Sequence, residues 1–153
     1  MPGRYLLDTN IMLLLIKRAS FGVAFEEAYR SQPDVFLGYS YATLGELDSL
    51  TRQNQWGPRR LGELVQLLRS FQMVPLAGQA LIEQYGKVDA YSQGRLAEQP
   101  LPTGLSARNM GKNDLWIAAS AATLGATLIT ADRDFDHLSP DFFAIDWVDI
   151  SAF

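Results

Sequence analysis

Short apolar runs alternating with stretches of helical periodicity set out the organisation of the chain. Tyr5-Leu6-Leu7 is an apolar run closed by Asp8-Thr9-Asn10, residue types that cap helices, so it reads as a strand buried on both faces. Ile11 to Arg18 follows as a helix with a basic last turn. Ser20 is placed to cap a second helix, Phe21 to Arg30, with Phe21, Ala24, Phe25 and Ala28 on one face. Val35-Phe36-Leu37 is a second buried strand, and Ser40 to Gln53 the helix after it. Pro58 suits the first turn of a helix ending near Phe71. Met73 to Leu76 is a third strand, placed at an edge or strand end because Pro75 has no N–H for a ladder. Gln79 to Ala97 is helical but weakened by Gly86 and Gly94, and Gln99 to Gly111, rich in Pro and Gly, is a loop. Asn113 to Leu124 is a strong helix stopped by Gly125. Thr127 to Thr130 and Ala144 to Ile150 are the last two strands.

Strands alternating with helices predict an α/β fold: a central, mostly parallel sheet of four to five short strands flanked by helices. No repeat or long linker divides the chain, so residues 1–153 are expected to form one domain. The composition, 48% hydrophobic and 20% charged, is that of a folded chain rather than a disordered one. There is no cysteine, which removes disulfides, thiolate nucleophiles and iron–sulfur clusters. A single histidine, His137, makes a His-based zinc site implausible and reads as a surface or packing residue. Net charge is −4, so any nucleic acid must be held by a local basic rim or through cations in an acidic pocket. The longest apolar run, Ile11 to Ile16, is far short of the roughly 20 residues a spanning helix needs. The chain is therefore expected in the cytoplasm, away from membranes.

Ligands of open parallel sheets bind beyond the carboxyl ends of the strands. Four acids fall there: Asp8 after the first strand, Glu46 early in the helix after the second, Asp114 in the helix leading to the fourth, and Asp132 just past the fourth. Taken singly, each is explained as a helix cap, a first-turn acid or a turn residue. Together, if strands one and four are neighbours, they would crowd into one pocket, repel one another and require a cation. Oxygen ligands without His or Cys favour Mg²⁺ or Mn²⁺, and such a site suits phosphodiester hydrolysis. Thr9, Asn10, Asn113 and Thr130 can orient carboxylates or waters without adding charge.

The segments Leu6-Leu7-Asp8-Thr9-Asn10, Ala42-Thr43-Leu44-Gly45-Glu46-Leu47, Asn113-Asp114-Leu115-Trp116-Ile117-Ala118-Ala119 and Thr130-Ala131-Asp132-Arg133-Asp134-Phe135 closely resemble the four motifs of PIN-domain ribonucleases, nearest to VapC-type toxins of toxin–antitoxin pairs. The resemblance spans essentially the whole chain, with the motifs in the family's order. It implies a PIN fold, divalent-cation-dependent endonuclease activity on RNA, a small antitoxin as partner and a homodimer. Carried over, the family's acids fall on Asp8, Glu46, Asp114 and Asp132, as both catalytic and metal-ligating residues. Asp134 and Asp136 lie close enough to share the site. Asp48, about 200° round a helix from Glu46, is expected to face elsewhere.

Around these acids, Asn113 reads as the cap that puts Asp114 in the first helical turn, and Arg108, Lys112 and Arg133 are candidate phosphate clamps or plain surface charges. Met12, Leu15 and Phe25 are expected to be exposed and to form a groove for an antitoxin's apolar segment. Trp56 reads as a packing or partner contact. Two alternatives remain open: a PIN nuclease that processes RNA without an antitoxin, and a non-enzymatic α/β binding module whose acids are caps. Receiver-type phosphotransfer domains and haloacid-type phosphatases fit poorly, because each needs an acidic pair where Asp8-Thr9-Asn10 offers one carboxylate.

Overall fold

Five short parallel strands form the centre of a computed structural model that describes residues 2–153; Met1, the first residue of the expected domain, lies outside them. The strands are β1 (Arg4–Leu7), β2 (Phe36–Ser40), β3 (Gln72–Val74), β4 (Thr127–Thr130) and β5 (Ile145–Trp147), in the order β3-β2-β1-β4-β5. All neighbouring pairs are parallel, so the sheet has five strands and no antiparallel member. The helices are α1 (Thr9–Lys17), α2 (Ala19–Phe25), α3 (Tyr41–Gln53), α4 (Pro58–Arg69), α5 (Gln79–Ser92) and α6 (Lys112–Leu124). No helix among the described residues is long and apolar enough to cross a membrane.

Register decides which side of the sheet each side chain covers. Leu6 lies opposite Leu128 and Leu7 opposite Ile129, and alternate residues of a strand point to opposite faces. Leu6 and Leu128 therefore join a core with Val88 and Tyr91 of α5 and Leu115, Ile117 and Ala118 of α6. Leu7 and Ile129 join a second core with Ile11, Met12, Phe21, Phe25, Leu47 and Leu64 from α1 to α4. Apolar cover on both faces is what lets a parallel sheet of such short strands persist. The chain runs outward from β1 to β3, then returns to build β4 and β5 on the other side of β1. The strand order thus reverses beside β1, where the carboxyl ends leave a crevice.

Several boundaries differ from expectation, each for a local reason. The second strand runs on to Ser40, whose hydroxyl then caps α3 by accepting from the Ala42 N–H at 3.1 Å. Helix α2 begins at Ala19, which places Ser20 inside it, and its last residues pass into a π turn over Glu26–Arg30. Helix α5 stops at Ser92, not Ala97, because the chain turns at Gly94 with φ +71°, a conformation that favours glycine. Gly125 closes α6 at φ +60°, as expected of a left-handed C-terminal glycine. Met12 and Phe25 are not exposed: both are fully enclosed in the second core, and Leu15 is half-buried against it. The expected apolar groove does not exist in that form, since the helical face read as outward is the one that covers the sheet.

Leu128 sits at the centre of the first core with no exposed surface. Leu128→Ala is expected to destabilise the fold by about 3 kcal/mol, within the range of roughly 2 to 5 kcal/mol for buried Leu-to-Ala changes. Urea unfolding followed by circular dichroism checks this, and a loss below about 1 kcal/mol would contradict the two-face packing.

Candidate metal centre

Asp8 is the deepest of the acids, with 4% of its surface exposed. Its backbone N–H extends the β1–β4 ladder by donating to the Ile129 carbonyl at 3.0 Å, which locks the residue to the end of β4. Its side chain is held at both oxygens. Oδ1 accepts from the Thr9 N–H at 2.8 Å, and Oδ2 accepts from the Thr130 hydroxyl at 2.7 Å. The same Thr130 oxygen accepts from the Asp132 N–H at 3.0 Å, so one threonine couples the acid after β1 to the acid after β4.

Glu46 reaches the site from the second turn of α3. The Thr9 hydroxyl donates to its Oε1 at 2.8 Å, and the Thr43 hydroxyl lies 3.1 Å from Thr9 Oγ1. Asp132 precedes the 3₁₀ turn Arg133–Leu138 and caps it, Oδ1 accepting from the Asp134 N–H at 2.9 Å. That turn brings Asp134 round beside Asp114, and one carboxylate oxygen each from Asp114, Asp132 and Asp134 lie within 4.8 Å of one another. Asp114 stands in the first turn of α6, but its cap is Gly111; Asn113 is an exposed helical residue and not the cap. Asn10 does take part, its Oδ1 accepting from the Ala131 N–H at 3.4 Å.

All four acids expected from the sequence therefore converge, and Asp134 joins them. Asp136 does not: it is exposed and pairs with Arg133 at 3.3 Å. Asp48 faces away as expected, paired with Arg52 at 2.8 Å on the surface of α3. The sequence held a signal for Asp134, since an acid two residues beyond a capping Asp is carried back by the turn that Asp closes. Thr43, three residues before Glu46, was not singled out as a polar support. Of the surface and packing roles read for His137, the structure gives packing: it is buried, its Nε2 lies 2.8 Å from the Ser92 hydroxyl, and burial lowers its pKa to about 4. Trp56 packs against the second core with Arg60 over its ring, in line with a packing role.

Electrostatics fit a cation here. Burial, reinforced by Glu46 and Asp132, pushes Asp8 up to about 6 even though two hydrogen bonds oppose the shift. Burial and then the charges of Asp8, Asp132, Glu46 and Asp134 push Asp114 up to about 7. Among the described residues, none of these five carboxylates is ion-paired. An octahedral ion with oxygens at about 2.1 Å holds adjacent ligands about 3 Å apart and opposite ones about 4.2 Å apart. The three mouth oxygens, within 4.8 Å of one another, need close by no more than about 0.6 Å to reach the opposite spacing and about 1.8 Å to reach the adjacent one. The donor set is all oxygen, which suits Mg²⁺ or Mn²⁺ over zinc.

The profile of the PIN domain family matches residues 5–139, and the chain belongs to that family. Among solved structures, VapBC-1 from nontypeable Haemophilus influenzae is 26% identical, with 97% of this chain and 98% of that one covered at a TM-score of 0.68. VapBC2 from Rickettsia felis, solved bound to a DNA fragment from its promoter, is 20% identical over 95% of this chain and 99% of that one, at a TM-score of 0.71. VapBC-5 from Mycobacterium tuberculosis, of the VapBC family of toxin-antitoxin systems, is 24% identical over 96% and 100%, at 0.62. The last two likenesses concern the fold alone. No curated protein matches the chain.

The raised pKa of Asp8 fixes the sign of a pH effect. An acid whose pKa is higher in the folded state than in the unfolded one favours folding below its ordinary value. That advantage is lost as pH rises through the folded value. Between about pH 4 and pH 7 the metal-free protein should thus lose up to about 3 kcal/mol through Asp8. Asp8→Asn is expected to remove much of that loss, and added Mg²⁺ to restore wild-type stability at pH 8. Unfolding curves in EDTA and in Mg²⁺ test both, and an Asn variant as pH-sensitive as wild type would contradict the account.

Proposed function

We propose that the chain is a divalent-metal-dependent endoribonuclease, a VapC-type toxin whose cleavage of RNA is restrained by a small antitoxin. The carrying observation is the meeting of Asp8, Glu46, Asp114, Asp132 and Asp134 in one crevice without a basic partner. In this reading Asp114, Asp132 and Asp134 hold the ion at the mouth, with Asp8 and Glu46 behind them. A bound Mg²⁺ or Mn²⁺ supplies Lewis acidity, lowering the pKa of a water and stabilising charge on phosphoryl oxygens. The chain's own part is positioning. Thr9 and Thr130 fix the two deep carboxylates, and α6, packed in the core, holds Asp114 on a rigid support.

The mouth is open where Asp134 is exposed, so a polymer strand can approach without a lid. The VapBC likeness at 26% identity, extending over nearly the whole chain, supports an antitoxin partner for this protein; a homodimer is part of the proposal on the family resemblance alone. We take residues 1–153 as one catalytic domain acting in the cytoplasm.

Asp8→Asn and Asp114→Asn are each expected to lower cleavage of total RNA at least 100-fold with the fold retained, whereas Asp136→Asn should stay within about twofold of wild type. Excess EDTA should stop cleavage and Mg²⁺ or Mn²⁺ restore it; cleavage that persists in EDTA would refute the metal mechanism. The toxin role is read in cells. Expression of wild type should arrest growth and Asp114→Asn should not, while growth unaffected by an active enzyme would favour an RNA-processing role.

A further inference from the structure

A cavity of about 330 Å³ opens against the acid cluster, walled by Ser106 to Gly111 on one side and by Asp114 and Asp134 on the other. Arg108 is the basic side chain in its lining. Although two carboxylates share the cavity, Arg108 makes no ion pair among the described residues. Its Nη1 donates instead to the Asp134 backbone carbonyl, at a long 3.4 Å. A guanidinium carries five N–H donors in a planar fork matched to phosphate, and one long bond to a carbonyl leaves most of that fork for a ligand.

The other cations flanking the acids are placed differently. Arg133 stacks on Trp147 at 3.5 Å and pairs with Asp136, and Lys112 is exposed at the start of α6 outside the cavity lining. Arg108 is also held in place. Its backbone N–H donates to the Ser92 carbonyl at 2.7 Å, and the Ser92 hydroxyl lies 2.8 Å from His137 Nε2 in the turn that carries Asp134. Met110, two residues on, packs against the first core and receives the Ser92 hydroxyl at 3.3 Å. The loop and the acidic turn are thus tied to the same end of α5.

We propose that this cavity is a subsite for the RNA strand and that Arg108 is its phosphate-binding residue, setting a phosphodiester against the metal-holding carboxylates. The inference rests on the endoribonuclease reading. An acid cluster repels a phosphate, and an arginine fixed beside it supplies attraction at the point where the strand must turn in. The volume is near the lower end for ligand sites, roughly 300 to 1,000 Å³, which suits a nucleotide unit rather than a folded element.

The test is binding of a fluorescently labelled single-stranded RNA to the Asp8→Asn protein in Mg²⁺, read by anisotropy from 50 to 200 mM NaCl. Adding Arg108→Ala should weaken binding about tenfold and flatten the slope of log K against log salt by about 0.7, the value for one single-strand phosphate contact. Arg108→Lys should keep the slope but recover only part of the affinity, because a point charge replaces a fork. An unchanged slope in Arg108→Ala overturns the inference, whatever the affinity does. If that variant melts early, Arg108→Lys against Arg108→Gln decides on the same slope. No cleavage of the RNA by the wild type, or no RNA binding by Asp8→Asn, overturns the endoribonuclease reading as well; an inactive Asp8→Asn that binds RNA with an Arg108-independent slope overturns this inference alone.

Discussion

Repulsion among carboxylates that the backbone forbids to separate is the constraint on which this structure turns. Asp8 cannot retreat from the crevice, because its own N–H is a rung of the β1–β4 ladder and both of its side-chain oxygens are taken by donors. Asp132 is tied to the same threonine, and Asp114 rides on a helix packed into the core. Burial alone raises Asp8 and Asp114, and neighbouring charges raise them further, so the metal-free site is a standing cost to the fold. Native proteins carry such costs at working sites and meet them through stability elsewhere, here in the two cores that clasp the sheet.

Hydroxyls do the arranging that charge cannot. Thr9, Thr43 and Thr130 are buried and place Glu46, Asp8 and the Asp132 backbone without adding to the repulsion. A basic residue in any of these positions would neutralise the acids and remove the need for a cation. Arginine is present instead one step outward, on the loop before α6, bonded to a carbonyl rather than to a carboxylate. The site therefore has an anionic floor and a cationic side wall, a separation suited to a metal ion and a phosphate side by side.

Much of this was legible in the residues. A short apolar run ended by Asp-Thr-Asn located β1, its cap and the deepest acid together, and the apolar helix after Asp114 announced a rigid support. The misreadings were of one kind. Met12 and Phe25 lie in helices with apolar residues on more than one side, and periodicity cannot say which face meets the sheet. Asn113 is as good a cap as sequence offers, yet the helix begins one residue before it, capped by Gly111 without a side-chain bond. For His137 the sequence left surface and packing roles both open, because nothing nearby in sequence reveals Ser92, forty-five residues away, as its partner.

The sequence by itself determined the α/β alternation and set four acids at or beyond strand ends, since these follow from local periodicity and capping chemistry; their standing as one ordered set of motifs came from the family resemblance. Tertiary structure alone decided that β1 and β4 are neighbours in a register that sets Asp8 beside Thr130, that the turn after β4 admits Asp134 and excludes Asp136, and that Arg108 stands free of the acids it borders. Those are relations between residues as many as 122 positions apart. Sequence patterns report what a residue does to its near neighbours, whereas strand register and helix docking are settled by burying both faces of the whole sheet at once.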